Sequence, residues 1–280
     1  MAALDTISGF VTAPGAAFTA VTFSNGTGTI RNFNQGNAYL VTLWTQGNTS
    51  AGYTRVLSPR LHDNVNGITV RWDAATAAGN TLVTSAPTVF TQWQQPLVAQ
   101  DTLAFSILGS AVAGDIINFS ALIYYDYLVG SVGNFIGEKE LDARAKNMTT
   151  LIISNTGGTT GAWSAGVALS AATFGTLKAN TNYALVGYSY SETAPGNCAS
   201  FAIQGVDTGN LFIGMPAVKE YSITSEWFTR LGRAMASDIA NPFPIIPVIN
   251  SANAGGTLVY NLNNENANTT LISLQLVELS

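Results

Sequence analysis

Apolar and small polar residues alternate along this chain in short runs, and turn residues break the runs at regular spacing. Residues 37–45 predict a strand with Tyr39, Val41 and Leu43 on one face. The longest alternating run is 116–127, in which Ile117, Phe119, Ala121, Ile123 and Tyr125 point the same way. Shorter runs at 18–23, 27–33, 53–57, 68–72, 88–93 and 103–107 predict further strands. Ser24-Asn25-Gly26 predicts a tight hairpin between the first two of them. That gives about eight strands in the first half, at the spacing of a sandwich or barrel.

The series then starts again. Residues 182–190 match 37–45 without a gap: Asn182 answers Asn37, Leu185-Val186 answers Leu40-Val41, and Tyr188 answers Leu43. Gly209-Asn210-Leu211 answers Asn66-Gly67-Ile68, each opening a short strand, and Trp227-Phe228 stands where Phe90 and Trp93 stood. Residues 245–249 are matched to 103–107, 252–256 to 111–114, and 268–276 to the run from Asn118. Constant order with small drifts in spacing predicts two divergent copies of one β unit. The predicted organisation is a first domain at 1–132, a connector at 133–147 and a second domain at 148–280.

Two segments depart from the strand period. In 225–238, Trp227, Phe228, Leu231, Ala234 and Met235 fall on one side of a helix, with Ser225 as its candidate cap. The stretch 130–147 holds six charges in nine positions (Glu138, Lys139, Glu140, Asp142, Arg144, Lys146) and predicts a second short helix near Glu138. Both helices are expected outside the barrels.

Composition sharpens this picture. Only 10% of the 280 residues are charged, so the surface is weakly hydrated for a monomer and predicts burial against other copies. A net charge of −5, with no basic stripe or arm, excludes a general nucleic-acid binder. Cys198 is the one cysteine, which excludes an internal disulfide. The first residues lack the basic and apolar regions of a signal peptide, and no apolar run has the length of a membrane-spanning helix. Synthesis in a cytoplasm is therefore expected.

No pattern announces catalysis, a cofactor or a metal. His62 is the one histidine, and no Gly-x-Ser-x-Gly elbow accompanies His62-Asp63. One His and one Cys cannot make an ordinary zinc site. Asp207-Thr208-Gly209-Asn210 lacks the remaining ligands of a calcium loop and reads as a turn in which Asp bonds its own backbone. Asp115, Asp126, Glu220 and Glu226 are the carboxylates a glycosidase would draw on. The glycine-rich 157–161 has no lysine and is no phosphate loop. Catalytic, cofactor-binding and metal-binding residues are all expected to be absent.

An all-β chain of two tandem eight-stranded units, with one or two short helices in loops, resembles the double jelly-roll major capsid proteins of icosahedral, often membrane-containing, viruses and phages. The paired runs 37–45 with 182–190, and 116–125 with 268–277, carry the resemblance. It implies two jelly-roll barrels per subunit and a capsomer in which three subunits present six barrels as a pseudo-hexagon. The implied partners are the chain itself, as homotrimer and neighbouring capsomers, and other virion proteins; the implied location is the virion. No N-terminal segment suited to an inner membrane is evident. Two other readings stay open on the same residues. One is a carbohydrate-binding or receptor-binding fibre protein using Trp44, Trp72, Trp93, Trp163 or Trp227 against sugars, although strand tryptophans are more often core. The other is the subunit of a helical surface filament.

Overall fold

The computed structural model describes residues 2–31, 37–47, 52–58, 67–72, 83–84, 88–89, 97–109, 115–130, 133–192, 198–218, 224–235, 243–263 and 269–280. The first half contains β1 (Ala3–Thr12), β2 (Thr19–Ala20), β3 (Thr22–Asn25), β4 (Ala38–Gly47), β5 (Gly52–Leu57), β6 (Ile68–Trp72), β7 (Val83–Thr84), β8 (Thr88–Val89), β9 (Ala104–Leu108) and β10 (Ile116–Tyr125). The second contains β11 (Phe135–Ile136), helix α1 (Glu138–Arg144), β12 (Ala145–Thr156), β13 (Val167–Ala168), β14 (Asn182–Glu192), β15 (Cys198–Gln204) and β16 (Ile213–Pro216). Helix α2 (Trp227–Met235), β17 (Ile246–Asn250), β18 (Leu258–Asn263) and β19 (Thr269–Leu279) complete it.

The described strands form four antiparallel sheets. In the first half, β1-β10-β4-β7 faces β2-β9-β5-β6; in the second, β12-β19-β14-β17 faces β13-β18-β15-β16. With the principal strands of each half numbered in chain order, both halves read 1-8-3-6 over 2-7-4-5. That is the strand order of the jelly roll, a double Greek key that closes two sheets over one core. The chain is all-β, built from two tandem jelly rolls with the two short helices between strands.

A shared irregularity sets the correspondence between the halves residue by residue. Leu122 of β10 pairs with Thr42 and Ile123 pairs with Leu40, which leaves Val41 as the extra residue of a β-bulge. In β14 the same slip falls between Leu185 and Gly187, leaving Val186. Val41 and Val186 are the residues matched in the two sequences. The bulge also corrects one expectation. It resets the period of two, so Tyr39 and Val41 stay on one face while Leu43 turns inward beside Leu40.

Three further expectations change. Residues 24–26 are no hairpin, because β3 pairs with β1 instead of with the segment that follows it. Residues 245–249 fall in the sixth principal strand, whereas 103–107 fall in the seventh; the true counterpart of β9 is β18. Residues 111–114, the expected counterpart of 252–256, lie outside the described residues. The last-strand match also shifts: through the ladders, Asn118 corresponds to Leu271.

The inward faces of the first half form one core around Leu43, Phe105, Ile107, Phe119 and Tyr125. Asp5 and Arg31 pair at its border, where Arg31 N–H also donates to Tyr125 Oη at 3.1 Å. The second core is larger because it takes in side chains from the first half: Leu4, Val41, Trp44, Leu122 and Tyr124 join it. The sheet β1-β10-β4 is thus buried on both faces, which is why β4 and β10 are almost continuously buried.

Helix α2 forms where the apolar stripe predicted it, with Trp227, Phe228, Leu231 and Met235 buried. Its first bond runs from Arg230 N–H to the Glu226 carbonyl at 2.9 Å, so the helix begins just after the expected cap. The backbone of 224–225 lies against Gly187, where an added Cβ would stand 2.3 Å from Ser225 and 2.4 Å from the Thr224 oxygen. Only a glycine after the bulge admits that approach. Helix α1 absorbs the charged stretch. Glu138 accepts from Arg233 Nε of α2 at 2.7 Å, Glu140 pairs with Arg144 at 2.6 Å, and the Arg144 carbonyl accepts from Ser280 N–H at 2.9 Å.

Candidate functional site

The surface that the chain builds with most care is the junction between its two jelly rolls. The outward face of β1, β10 and β4 meets the side of the second jelly roll formed by β15, β16 and α2. Small residues let the backbones come close. Gly214 N–H donates to Thr6 Oγ1 at 2.7 Å, and an added Cβ there would stand 2.8 Å from Thr6 and 3.2 Å from the Trp44 ring. Ser120 and Ser200 hydroxyls lie 3.1 Å apart, and Trp44 Nε1 donates to Ser200 Oγ at 2.7 Å. Gln46 Nε2 donates to the Cys198 carbonyl at 2.7 Å. At one margin Trp163 Nε1 donates to Ser8 Oγ at 2.9 Å; at the other, Phe243 packs edge-on to Tyr124 at 5.1 Å.

Trp44 and Trp227 anchor the junction. Their rings meet edge-to-face at 6.1 Å, and both are buried. The Trp227 indole N–H finds no acceptor among the described residues, whereas that of Trp44 is satisfied. Of the tryptophans offered above as sugar platforms, Trp44, Trp163 and Trp227 are engaged here. Trp93 and the side chain of Trp72 lie outside the described residues.

The chemistry considered from the sequence does not converge. His62 and Glu220 lie outside the described residues. Asp115 and Asp126 flank opposite ends of β10, about 35 Å apart at the rise of a strand, far beyond the separation of a glycosidase pair. Asp126 accepts from Asn37 N–H at 2.8 Å, and Glu226 pairs with Arg230 at 3.4 Å. Cys198 is fully buried; burial pushes its thiol well up, and Sγ donates to the Ser200 carbonyl at 3.3 Å. Residues 207–210 turn as expected, with Gly209 at φ 67°, but Asp207 does not bond its own backbone. Its carboxylate accepts from Asn250 N–H and Asn253 Nδ2 at 3.0 Å, tying its loop to the one after β17. No group of three metal-ligating side chains occurs among the described residues, and no described helix is long and apolar enough to cross a membrane.

Sequence reasoning missed β1 and the polar half of the junction. The signal available was Leu4, Thr6 and Ser8 on one face alternating with Ala3 and Ile7 on the other, which reads as a turn-prone stretch until both faces are known to be covered.

One cleft opens in the second jelly roll, about 410 Å³ in volume, between Leu151, Leu169, Leu177, Asn180 and Ala252. Its lining mixes leucines and alanines with Ser170, Thr176, Asn180 and Ser251, and holds no charged group.

No protein-family model matches the chain, and no curated protein matches it. Similar solved structures include the STIV MCP, at 9% identity over 99% of this chain and 97% of that one, with a TM-score of 0.24. The PBSX exported protein XepA matches at 8% identity over 99% and 86%, with a TM-score of 0.21. A structure described as the triple jelly roll fold and turret assembly in an archaeal virus matches at 9% over 99% and 79%, with a TM-score of 0.24. The strand order of the chain itself makes each half a jelly roll.

Proposed function

We propose that this chain is a structural virion protein: a major capsid protein, of a bacteriophage or related virus, that self-assembles as pseudo-hexagonal homotrimers into an icosahedral shell. It acts as a building block and catalyses no reaction. Its units are 1–132 and 148–280, joined by 133–147, and its partners are further copies of itself and other virion proteins. It is made in the host cytoplasm and resides in the virion. The observation that carries this reading is the junction. Two jelly rolls of identical strand order are locked side by side through a doubly buried sheet, which makes each subunit a rigid pair of wall elements. A charged fraction of 10% is low for a protein that keeps its surface in water.

The test is the mass and shape of the purified protein. Light scattering should give a trimer or a larger closed species, and electron microscopy should show shells or hexagonal capsomers. A stable monomer at micromolar concentration, or an open filament, would overturn the reading.

A further inference from the structure

The bulges at Val41 and Val186 place every residue of one jelly roll's outer face on a residue of the other. Thr42 and Gly187 follow the bulges and pair with Leu122 and Gln275, which pair in turn with Thr6 and Thr150. Leu4 therefore corresponds to Met148, Ser8 to Ile152, and Ser120 to Ser273. In the first jelly roll this face is sealed by the second: Leu4 is 0% exposed, Thr6 1% and Ser120 0%. In the second jelly roll the β14 part of the same face is covered by 224–225 and α2, with Ala184 and Val186 buried, while the β12 and β19 part lies open. Met148 is 65% exposed and Leu271 41%, while Thr150, Ile152, Ser273 and Gln275 are half-buried. None of these six side chains is charged, and charge depletion marks the core of an interface.

We infer that this open face of β12 and β19 receives the β5–β6 side of the first jelly roll of another copy, repeating between subunits the junction seen within one. The occupant follows from the internal contact. Inside the chain, the outer face of the first jelly roll is covered by β15 and β16, whose counterparts are β5 and β6. Strand β16 opens with Ile213 opposite Ile203, and β6 opens with Ile68 opposite Val56, so Gly214 corresponds to Thr69. The outward residues of β5 and β6 are Tyr53, Arg55, Thr69 and Arg71. Tyr53 is 41% exposed, and Arg55 is held over the Phe18 ring at 4.1 Å. Tyrosine and arginine are the residue types that most often anchor interfaces. The two surfaces differ, so the contact is head-to-tail and closes into a ring when its rotation permits. This inference rests on the assembly reading above and specifies the surfaces that assembly uses.

The test is cross-linking between two variants that each carry one introduced cysteine, Thr69→Cys and Thr150→Cys, which stand for the Gly214–Thr6 contact. Cys198 is buried and does not compete. Mixed, assembled and oxidised, the two variants should give a covalent dimer; each alone should give none. Assembly by light scattering without a cross-link would overturn this surface and leave the capsid reading standing. A cross-link in one variant alone would mean a two-fold contact and would also overturn it. A monomer throughout would overturn both. As a second readout, Ser273→Arg should abolish assembly while leaving the subunit's melting temperature unchanged; assembly as in the parent protein would refute the placement.

Discussion

Replacing Trp44 or Trp227 by alanine tests whether the two jelly rolls share one core. Each ring is buried and meets the other edge-to-face at 6.1 Å. Truncating a buried tryptophan costs about 3–5 kcal/mol, which for a chain of this size lowers the melting temperature by roughly 5–9 °C. Trp44→Ala also strands Ser200 Oγ, although Ser120 remains within 3.1 Å to partner it. The informative quantity is the coupling. An edge-to-face pair contributes about 0.5–1.5 kcal/mol beyond its buried area, so the double variant should lose less than the two single losses combined by about that amount. The assay is urea unfolding of the four proteins, followed by tryptophan fluorescence and far-ultraviolet circular dichroism. Trp44→Ala should also pull the two halves' transitions apart, since it loosens the contact through which they unfold together. Additive losses with a single undivided transition would refute the shared core.

The phenylalanine variants at the same sites should diverge: Trp44→Phe loses the bond to Ser200 and costs about 1–2 kcal/mol, whereas Trp227→Phe removes an indole N–H that has no acceptor among the described residues and should cost less, as urea midpoints would register. Gly187→Val should destabilise by about 3 kcal/mol, because its side chain would collide with the backbone of 224–225; an unchanged melt would mean that α2 is seated elsewhere. Burial raises the Asp5 carboxyl above its ordinary value of 3.8, with Arg31 opposing the shift. The stability contributed by Asp5 is therefore complete below that value and is lost as pH rises through the raised one. Asp5→Asn should gain on the parent protein from pH 4 towards neutrality; a difference that grows in the parent's favour would show that the Arg31 pairing outweighs burial.

Much of this fold could be read from the sequence because alternation has a physical cause that acts locally. A strand with one face in a core must place apolar groups every second residue, and 116–125 does so without a break. The repeat in 37–45 and 182–190 was legible for a related reason: the two segments occupy the same place in the same barrel and even carry the same bulge. The amphipathic stripe of α2 and the charged run of α1 were legible too, since each is a property of one element. Other features depend on what a second element brings. β1 is buried on both faces, yet its outer face carries Thr6 and Ser8, because that face meets Gly214, Trp163 and the Ser120–Ser200 pair instead of a hydrocarbon core. The flip of Leu43 follows from a bulge that only the register with β10 reveals. Asp207 spends its carboxylate on a loop some forty residues away. Met148 and Leu4 occupy equivalent places on equivalent strands, and nothing in their local sequence separates them. Tertiary structure alone decides that one is sealed and the other open, because a chain with two copies of a head-to-tail surface satisfies one within itself and leaves the other exposed.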